Sequence, residues 1–345
     1  MKIFVVGNGA FGTAVAEMLA RAGREVVLWC STHDYPHLKL FLTLQRAPEK
    51  ENYLYLSGTK LNPKIMFTDK LDFAETADVI LLAQPSKHIF ETFLPICEIL
   101  KKNRKAVVAL LSKGFSATYQ TLGERMLESL KSMDFHRFAV ISGPTFASEI
   151  LKPYQLHFAS CASKNLSAIK QLKKMTKGTS LALVGTTDIV GVSLGGCLKN
   201  AYAAGYGLIL KQKGKSAAFD YIWLALREMK LFLDYVGASP RTLWSPAAQG
   251  DFYVTCRGNS RNRAFGEFLA EYHSKDEINE YLTRNTIEGY ESMKKLWGLV
   301  HYNVSQKMSF DAPLLYGIHS ICEFGASPDT FVDCFLRAKN QRVMI

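Results

Sequence analysis

The chain has 345 residues, 48% of them hydrophobic, and a formal net charge of +11. That composition supports a large core and, by length, about two domains, while no apolar run approaches the ~20 residues needed to span a bilayer. Seven scattered cysteines without a C-x-x-C pair speak against a disulfide framework or a zinc site and for a reducing, cytoplasmic setting.

The basic stretches 101–105 and 170–177 read as solvated helix ends and faces, so the charge does not call for a nucleic-acid partner. An anionic, phosphorylated ligand accounts for part of it. With a strand at the very start of the chain, no signal or transit peptide is expected ahead of it.

Residues 3–6 are a short apolar run of strand formers. They lead into Gly7-Asn8-Gly9-Ala10-Phe11-Gly12, a G-x-G-x-x-G. Ala14, Val15, Met18 and Leu19 then recur at helical spacing as far as Gly23. A second strand at 25–29 completes a β-α-β unit. In that context the motif is a dinucleotide-binding turn. Gly7 permits the tight turn, Gly9 lets a pyrophosphate approach, Gly12 lets the helix pack close, and the helix N-terminus faces the phosphates. The alternative is a tight turn in some other α/β fold.

After this second strand come Cys30-Ser31-Thr32-His33-Asp34. Here a carboxylate would hold the ribose of NAD, or an arginine the 2′-phosphate of NADP. The immediate residues are neutral, Asp34 lies far along and no arginine is adjacent, so NAD and NADP both stay open. Residues 35–64 read as an irregular insertion with a helical stretch near 38–44.

Strands follow at 65–68, 78–83, 106–111, 138–141, 156–161 and 181–184. Ser86 is placed to cap the helix after the 78–83 strand. Lys113, and the loop Ser142-Gly143-Pro144-Thr145, both sit at strand carboxyl ends, where parallel sheets bind ligands. A surface lysine is the alternative for Lys113. Ala147-Ser148-Glu149 reads as the start of a helix.

From Asp188 onward only helical periodicity remains. A long helix runs through Leu194, Leu198 and Tyr202, with Lys199-Asn200 inside its small, apolar stretch. A lysine buried there is a candidate proton carrier near neutral pH. Further helices fall at 217–236, 263–272, 286–302 and 328–337. Gly250-Asp251 and Ser260-Arg261-Asn262-Arg263 lie in loops or at helix starts, and an arginine beside a helix N-terminus suits a phosphate. The predicted fold is an α/β, Rossmann-type doubly wound sheet over residues 1–186, followed by an all-α domain over 187–345.

Taken together, these segments resemble the soluble NAD(P)-dependent sn-glycerol-3-phosphate dehydrogenases of bacterial type. The likeness rests on GNGAFGTAVA at 7–16, SKG at 112–114, ISGPTFASE at 141–149, GVSLGGCLKNAYA at 191–203, QGD at 249–251, VTC at 254–256, SRNRAFG at 260–266 and IEGYESMK at 287–294. None suffices alone; in this order they are specific, and they cover almost the whole chain.

The resemblance implies reduction of dihydroxyacetone phosphate to sn-glycerol 3-phosphate by NADH or NADPH, supplying phospholipid synthesis, in a homodimer and without a metal. It implies Lys199 as proton donor and acceptor, with Lys113, Asp251 and Asn262 binding and polarising the substrate. Gly143 and Thr145 would touch the substrate, and Ser260 and Arg261 would bind near its phosphate. Arg261 and Lys113 would also reach the cofactor, whose site Phe11, Ala147, Ile287 and Glu288 would line. Neither a nucleic-acid partner nor insertion into a membrane is implied.

Three places depart from the family pattern. A T-R-G is Trp223-Leu224-Ala225 here, a Gly-rich loop expected at 207–216 is basic and lacks G-D-N, and A-V-P-S is Ala83-Gln84-Pro85-Ser86. They keep two alternatives in view: a dehydrogenase of another phosphorylated ketone, and a dinucleotide sensor without turnover.

Overall fold

The computed structural model describes residues 1–152, 154–302 and 310–340. Contacts divide the chain into two compact units. One comprises Met1–Lys113 and Leu122–Val192, the other Gly114–Thr121 and Ser193–Ile345.

In the first unit, β1 (Lys2–Val6), α1 (Ala10–Arg21) and β2 (Glu25–Trp29) form the expected β-α-β unit. They are followed by α2 (Tyr35–Arg46), the short strands β3 (Lys50–Glu51) and β4 (Lys60–Leu61), β5 (Met66–Thr68), β6 (Val79–Leu82), α3 (Ile89–Leu100), β7 (Val107–Leu110), α4 (Leu122–Lys131), β8 (Phe138–Ser142), β9 (His157–Ala162), α5 (Leu166–Thr176) and β10 (Leu181–Thr186). The sheet order is β10-β9-β8-β7-β6-β1-β2-β5. From β5 to β8 every pair is parallel, with Val5 opposite Leu28 on one side and Leu81 on the other. This is the strand order of a Rossmann sheet, and it reverses direction between β1 and β6, where such sheets bind nucleotides. All four residues of β6 and of β7 are buried, as their unbroken apolar runs require of strands covered on both faces.

β9 lies antiparallel to β8, while β10 is parallel to β9. Among the described residues between β8 and β9 there is no crossover helix, the usual connection for parallel pairing. Ala147-Ser148-Glu149, read as helical, lies in a hydrogen-bonded turn instead, with Ile150 N donating to Phe146 O at 3.1 Å. Between β9 and β10, α5 supplies the crossover and restores parallel pairing.

Two other local expectations change. Residues 35–64 are not an irregular insertion: α2 is the regular connection from β2 to β5, started by Pro36 in its first turn and by Asp34, whose carboxylate accepts from His37 N. Only the small β3–β4 ribbon is added. Ser86 does not cap α3; it begins a 3₁₀ turn through His88, and α3 starts without a side-chain cap.

The second unit is helical. Its spine is α6 (Ile189–Tyr235), whose first four residues are counted with the first unit. The stretch 207–216, expected as a loop, is helical except at Gly214, whose φ of 81° and ψ of −179° split α6 into arms 189–213 and 215–235. Glycine adopts such a φ without a Cβ penalty. The arms pack on each other: Tyr221 donates to the carbonyl of Tyr202 at 2.8 Å, and Tyr202 donates to Glu228 at 2.7 Å.

After α6 come α7 (Asp251–Arg257), α8 (Arg261–Phe268), α9 (Lys275–Arg284), α10 (Glu288–Tyr302), α11 (Pro313–Phe324) and α12 (Pro328–Asn340). They enclose a core that includes Leu198, Tyr202, Tyr221, Phe232, Phe252, Phe265 and Phe331. Each such side chain contributes about 1.5–3 kcal/mol by leaving water. The eight residues Gly114–Thr121 belong to this unit: Phe115 packs against its core, and Lys295 Nζ donates to Ala117 O at 3.3 Å. No helix of the described residues is long and apolar enough to cross a membrane.

Candidate active site

In the first unit the turn after β1 is built for close approach. Gly7 has a φ of +121°, and a Cβ there would lie 3.0 Å from Ala83 and Gln84, the residues that end β6. A Cβ on Gly12 would fall 1.9 Å from Gly7 O, so only glycine lets α1 start this close to β1. At Gly9 a Cβ would meet nothing within 4 Å, which leaves a cradle in the backbone. The carbonyl of Asn8 accepts from Thr13 Oγ1 at 3.1 Å and from Asn52 Nδ2 at 2.7 Å. Its own Nδ2 is buried without a partner. α1 begins at Ala10 and Phe11 with no side-chain cap, so its first N–H groups are available to an anion. An orphaned donor, an open cradle and an uncapped helix start together fit the pyrophosphate of a dinucleotide.

The neighbouring strand ends are tied together. Ser112 Oγ donates to Gln84 O, and Thr92 Oγ1 to Gln84 Oε1. Lys113 follows, its Nζ 3.4 Å from Gly143 O. Ser142 Oγ is buried without a partner. Gly143 is glycine because a Cβ there would sit 2.7 Å from Ala159 Cα on β9, and its carbonyl also accepts from Thr145 N at 2.9 Å. Ala147 packs against the core. Sequence reasoning therefore placed Lys113, Gly143 and Thr145 on one set of loops, and the structure joins them; Ser112 and Ser142 were read only as members of those motifs, and the fold gives each its own place.

The carboxyl end of β2 is also ordered. The Cys30 thiol is pushed up to about 12 by burial and by Asp69. Beyond it, Asp34 faces both His33 and His37.

In the second unit Lys199 lies mid-way along α6, 7% exposed, and Asp251 at the start of α7, 2% exposed. Lys199 Nζ is 3.3 Å from Asp251 Oδ1 and donates to Thr255 Oγ1 at 3.0 Å. Thr255 in turn donates to Asp251 O at 2.7 Å. Asp251 stands one turn before Thr255 on α7, so both side chains share a face. Thr255 was not singled out from the sequence, although that spacing was there to read.

Beside this pair runs an amide network. Asn262 Nδ2 donates to Asn200 Oδ1 at 2.8 Å, Asn200 Nδ2 to Glu288 Oε2 at 3.1 Å, and Gly289 N to Asn262 Oδ1 at 2.9 Å. A Cβ on Gly289 would lie 2.4 Å from Asn200 O, so the second residue of α10 must be glycine next to α6. Ser260 caps α8 by accepting from Arg263 N at 3.1 Å, and its hydroxyl donates to Thr255 O at 2.9 Å. Arg261 stands exposed in the first turn of α8, while Ile287 is buried in the core. The structure thus gathers Lys199, Asp251, Ser260, Asn262 and Glu288 around the ends of α7, α8 and α10. Burial holds the Cys256 thiol well above its ordinary range against the pull of Lys199, so it packs rather than reacts.

A Rossmann sheet with a fitted dinucleotide turn, joined to a helical unit holding a buried lysine–aspartate pair, defines a two-domain, dinucleotide-dependent dehydrogenase. Residues 2–169 match the family model of the NAD-dependent glycerol-3-phosphate dehydrogenase N-terminus, and residues 188–333 that of its C-terminus. The chain belongs to this family of glycerol-3-phosphate dehydrogenases.

Among its relatives, glycerol-3-phosphate dehydrogenase [NAD(P)+] of Citrifermentans bemidjiense is 30% identical over 91% of this chain and 90% of its own. That of Pseudomonas putida is 31% identical over 98% and 94%. The crystal structure of glycerol-3-phosphate dehydrogenase from Coxiella burnetii superposes with a TM-score of 0.80 at 26% identity, covering 99% of both chains.

Proposed function

We propose that this chain reduces dihydroxyacetone phosphate to sn-glycerol 3-phosphate, reversibly, with Lys199 as the proton donor. The observation that carries the reading is the buried Lys199–Asp251 pair, at 3.3 Å and braced by Thr255. A charge this deep persists only when paired, and an ammonium is the group such a reduction needs. The nicotinamide supplies the hydride when bound.

As the ketone carbon is reduced, its oxygen gains alkoxide character. Lys199 stabilises that charge and gives up a proton from Nζ. Asp251 and Thr255 keep Nζ in place and balance its charge. The N–H groups at the start of α8, with Ser260, Arg261 and Asn262, would take the substrate phosphate, since a guanidinium at a helix N-terminus binds such anions well. By the family resemblance, Lys113, Gly143 and Thr145 would also contact the substrate. Residues Gly7 to Gly12 would hold the pyrophosphate of NAD or NADP, with Ala147, Ile287 and Glu288 on the cofactor's path. In this reading 1–186 is the dinucleotide-binding domain and 187–345 the substrate domain, in a cytoplasmic homodimer that uses no metal in the reaction and supplies phospholipid synthesis.

Oxidation of NADH and of NADPH with dihydroxyacetone phosphate, measured in parallel, tests the reaction. Lys199→Ala should lower kcat by ~10²–10⁴-fold, the usual worth of a general acid, with dinucleotide affinity retained. Turnover that survives the substitution would show the proton to come from elsewhere.

A further inference from the structure

The carboxyl end of β2 carries a constellation that the reaction above does not use. Asp34 caps α2, its Oδ1 accepting from His37 N at 2.9 Å. Two imidazoles face the two oxygens of its carboxylate. His33 Nε2 lies 3.0 Å from Oδ2, and His37 Nδ1 lies 2.6 Å from Oδ1. One donor atom from each of the three residues lies within 4.8 Å of the others.

The far nitrogen of each ring is fixed by a hydroxyl. His33 Nδ1 is 2.6 Å from Ser31 Oγ, and His37 Nε2 is 2.6 Å from Tyr55 Oη. Tyr55 is itself anchored, its backbone N donating to Asn52 Oδ1 at 3.2 Å. The two rings lie 4.5 Å apart, centroid to centroid.

We propose that His33, Asp34 and His37 bind a divalent transition-metal ion of the zinc class, with water completing the coordination. Two imidazole nitrogens and a carboxylate oxygen are a donor set that suits zinc. Metal-bound histidines almost always have the other ring nitrogen held by a hydrogen-bonding partner, which fixes tautomer and orientation; Ser31 and Tyr55 do this here. Bonds of about 2.0–2.2 Å in a tetrahedron set neighbouring ligand atoms about 3.4 Å apart. The observed separations, 3.0 Å from His33 Nε2 to Oδ2 and 2.6 Å from His37 Nδ1 to Oδ1, run to different oxygens of Asp34, and all three donors lie within 4.8 Å of one another; side-chain shifts of about 1–1.5 Å bring one donor from each residue to the tetrahedral spacing.

From the sequence no metal was expected. The ligands follow no familiar spacing, because two of them are adjacent residues and the third is one helical turn on, and only the turn into α2 brings them together.

Titration calorimetry of the metal-stripped full chain with Zn²⁺, together with the visible spectrum after adding Co²⁺, tests the site. One equivalent should bind at micromolar zinc or tighter. Affinity should fall at least about tenfold in His33→Ala, in His37→Ala and in Asp34→Asn. The asparagine keeps the helix cap, so its loss reports on the ligand and not on the fold. The site is refuted by no binding at micromolar zinc, by binding unchanged in Asp34→Asn and His33→Ala, or by a cobalt spectrum dominated by thiolate charge transfer.

Discussion

Lys199 is held at two points, by Asp251 and by Thr255. The second point gives a sharp test of positioning. Thr255→Val keeps the shape but removes the hydroxyl that links Lys199 Nζ to the carbonyl of Asp251. A hydrogen bond to a charged group is worth about 1.5–3 kcal/mol. kcat should therefore fall by roughly tenfold or more, while Thr255→Ser stays near wild type; equal turnover in both variants would remove Thr255 from the site. At this scale the sequence was informative where chemistry contradicts surroundings. Lys199 is a charge among glycines, alanines and leucines, and Asp251 opens a helix. It named Ser112 and Ser142 only as members of motifs, and it was silent on Asn52, a polar residue of ordinary type whose significance comes only from what chain folding places beside it.

Among the helices, the start of α11 depends on a residue far away on α6. Glu228 accepts from Leu314 N and Leu315 N at 3.0 and 2.8 Å, as well as from Tyr202. Burial pushes the Glu228 carboxyl up to about 7, with those three donors opposing the rise. An acid whose pKa is higher folded than unfolded binds more protons in the native state between the two values, so stability falls as pH rises through that window. The melting temperature of wild type minus that of Glu228→Gln should accordingly shrink between pH 5 and pH 8; a flat difference would mean that Glu228 does not titrate in this range.

The same scale shows which elements periodicity could find. The β-α-β start and α6, α10 and α12 were legible from spacing. α9 was missed although Ser274 and Glu277 form a complete capping box, because that helix is mostly polar and shows little apolar stripe. α11 was missed for the opposite reason: it is apolar nearly all round, and nine of its residues are buried. The reversal at β9 depends on the absence of a crossover helix, a negative that spacing does not display.

For the whole molecule, the order of a parallel-dominated sheet followed by helices was readable because the hydrophobic period changes at Asp188. The return of Gly114–Thr121 to the helical unit was not readable, because eight residues carry no period of their own. That segment is seated by Tyr119, whose ring lies against Gly298: a Cβ there would come 2.2 Å from Tyr119 Cε1. Gly298→Ala should displace the ring and raise hydrogen exchange across 114–121 while leaving β1 to β8 unchanged. Unaltered exchange at 114–121 would show that another contact seats the segment.

This segment also has a consequence for the newborn chain. It is synthesised 177 residues before Gly298, counting from Thr121, and at about 5–20 residues per second that is a delay of roughly ten to thirty-five seconds. During that interval the sheet strands emerge and can pair, while Tyr119 still lacks the α10 surface at Gly298 that seats it. The helical unit can therefore take in 114–121 fully only after α10 has been made.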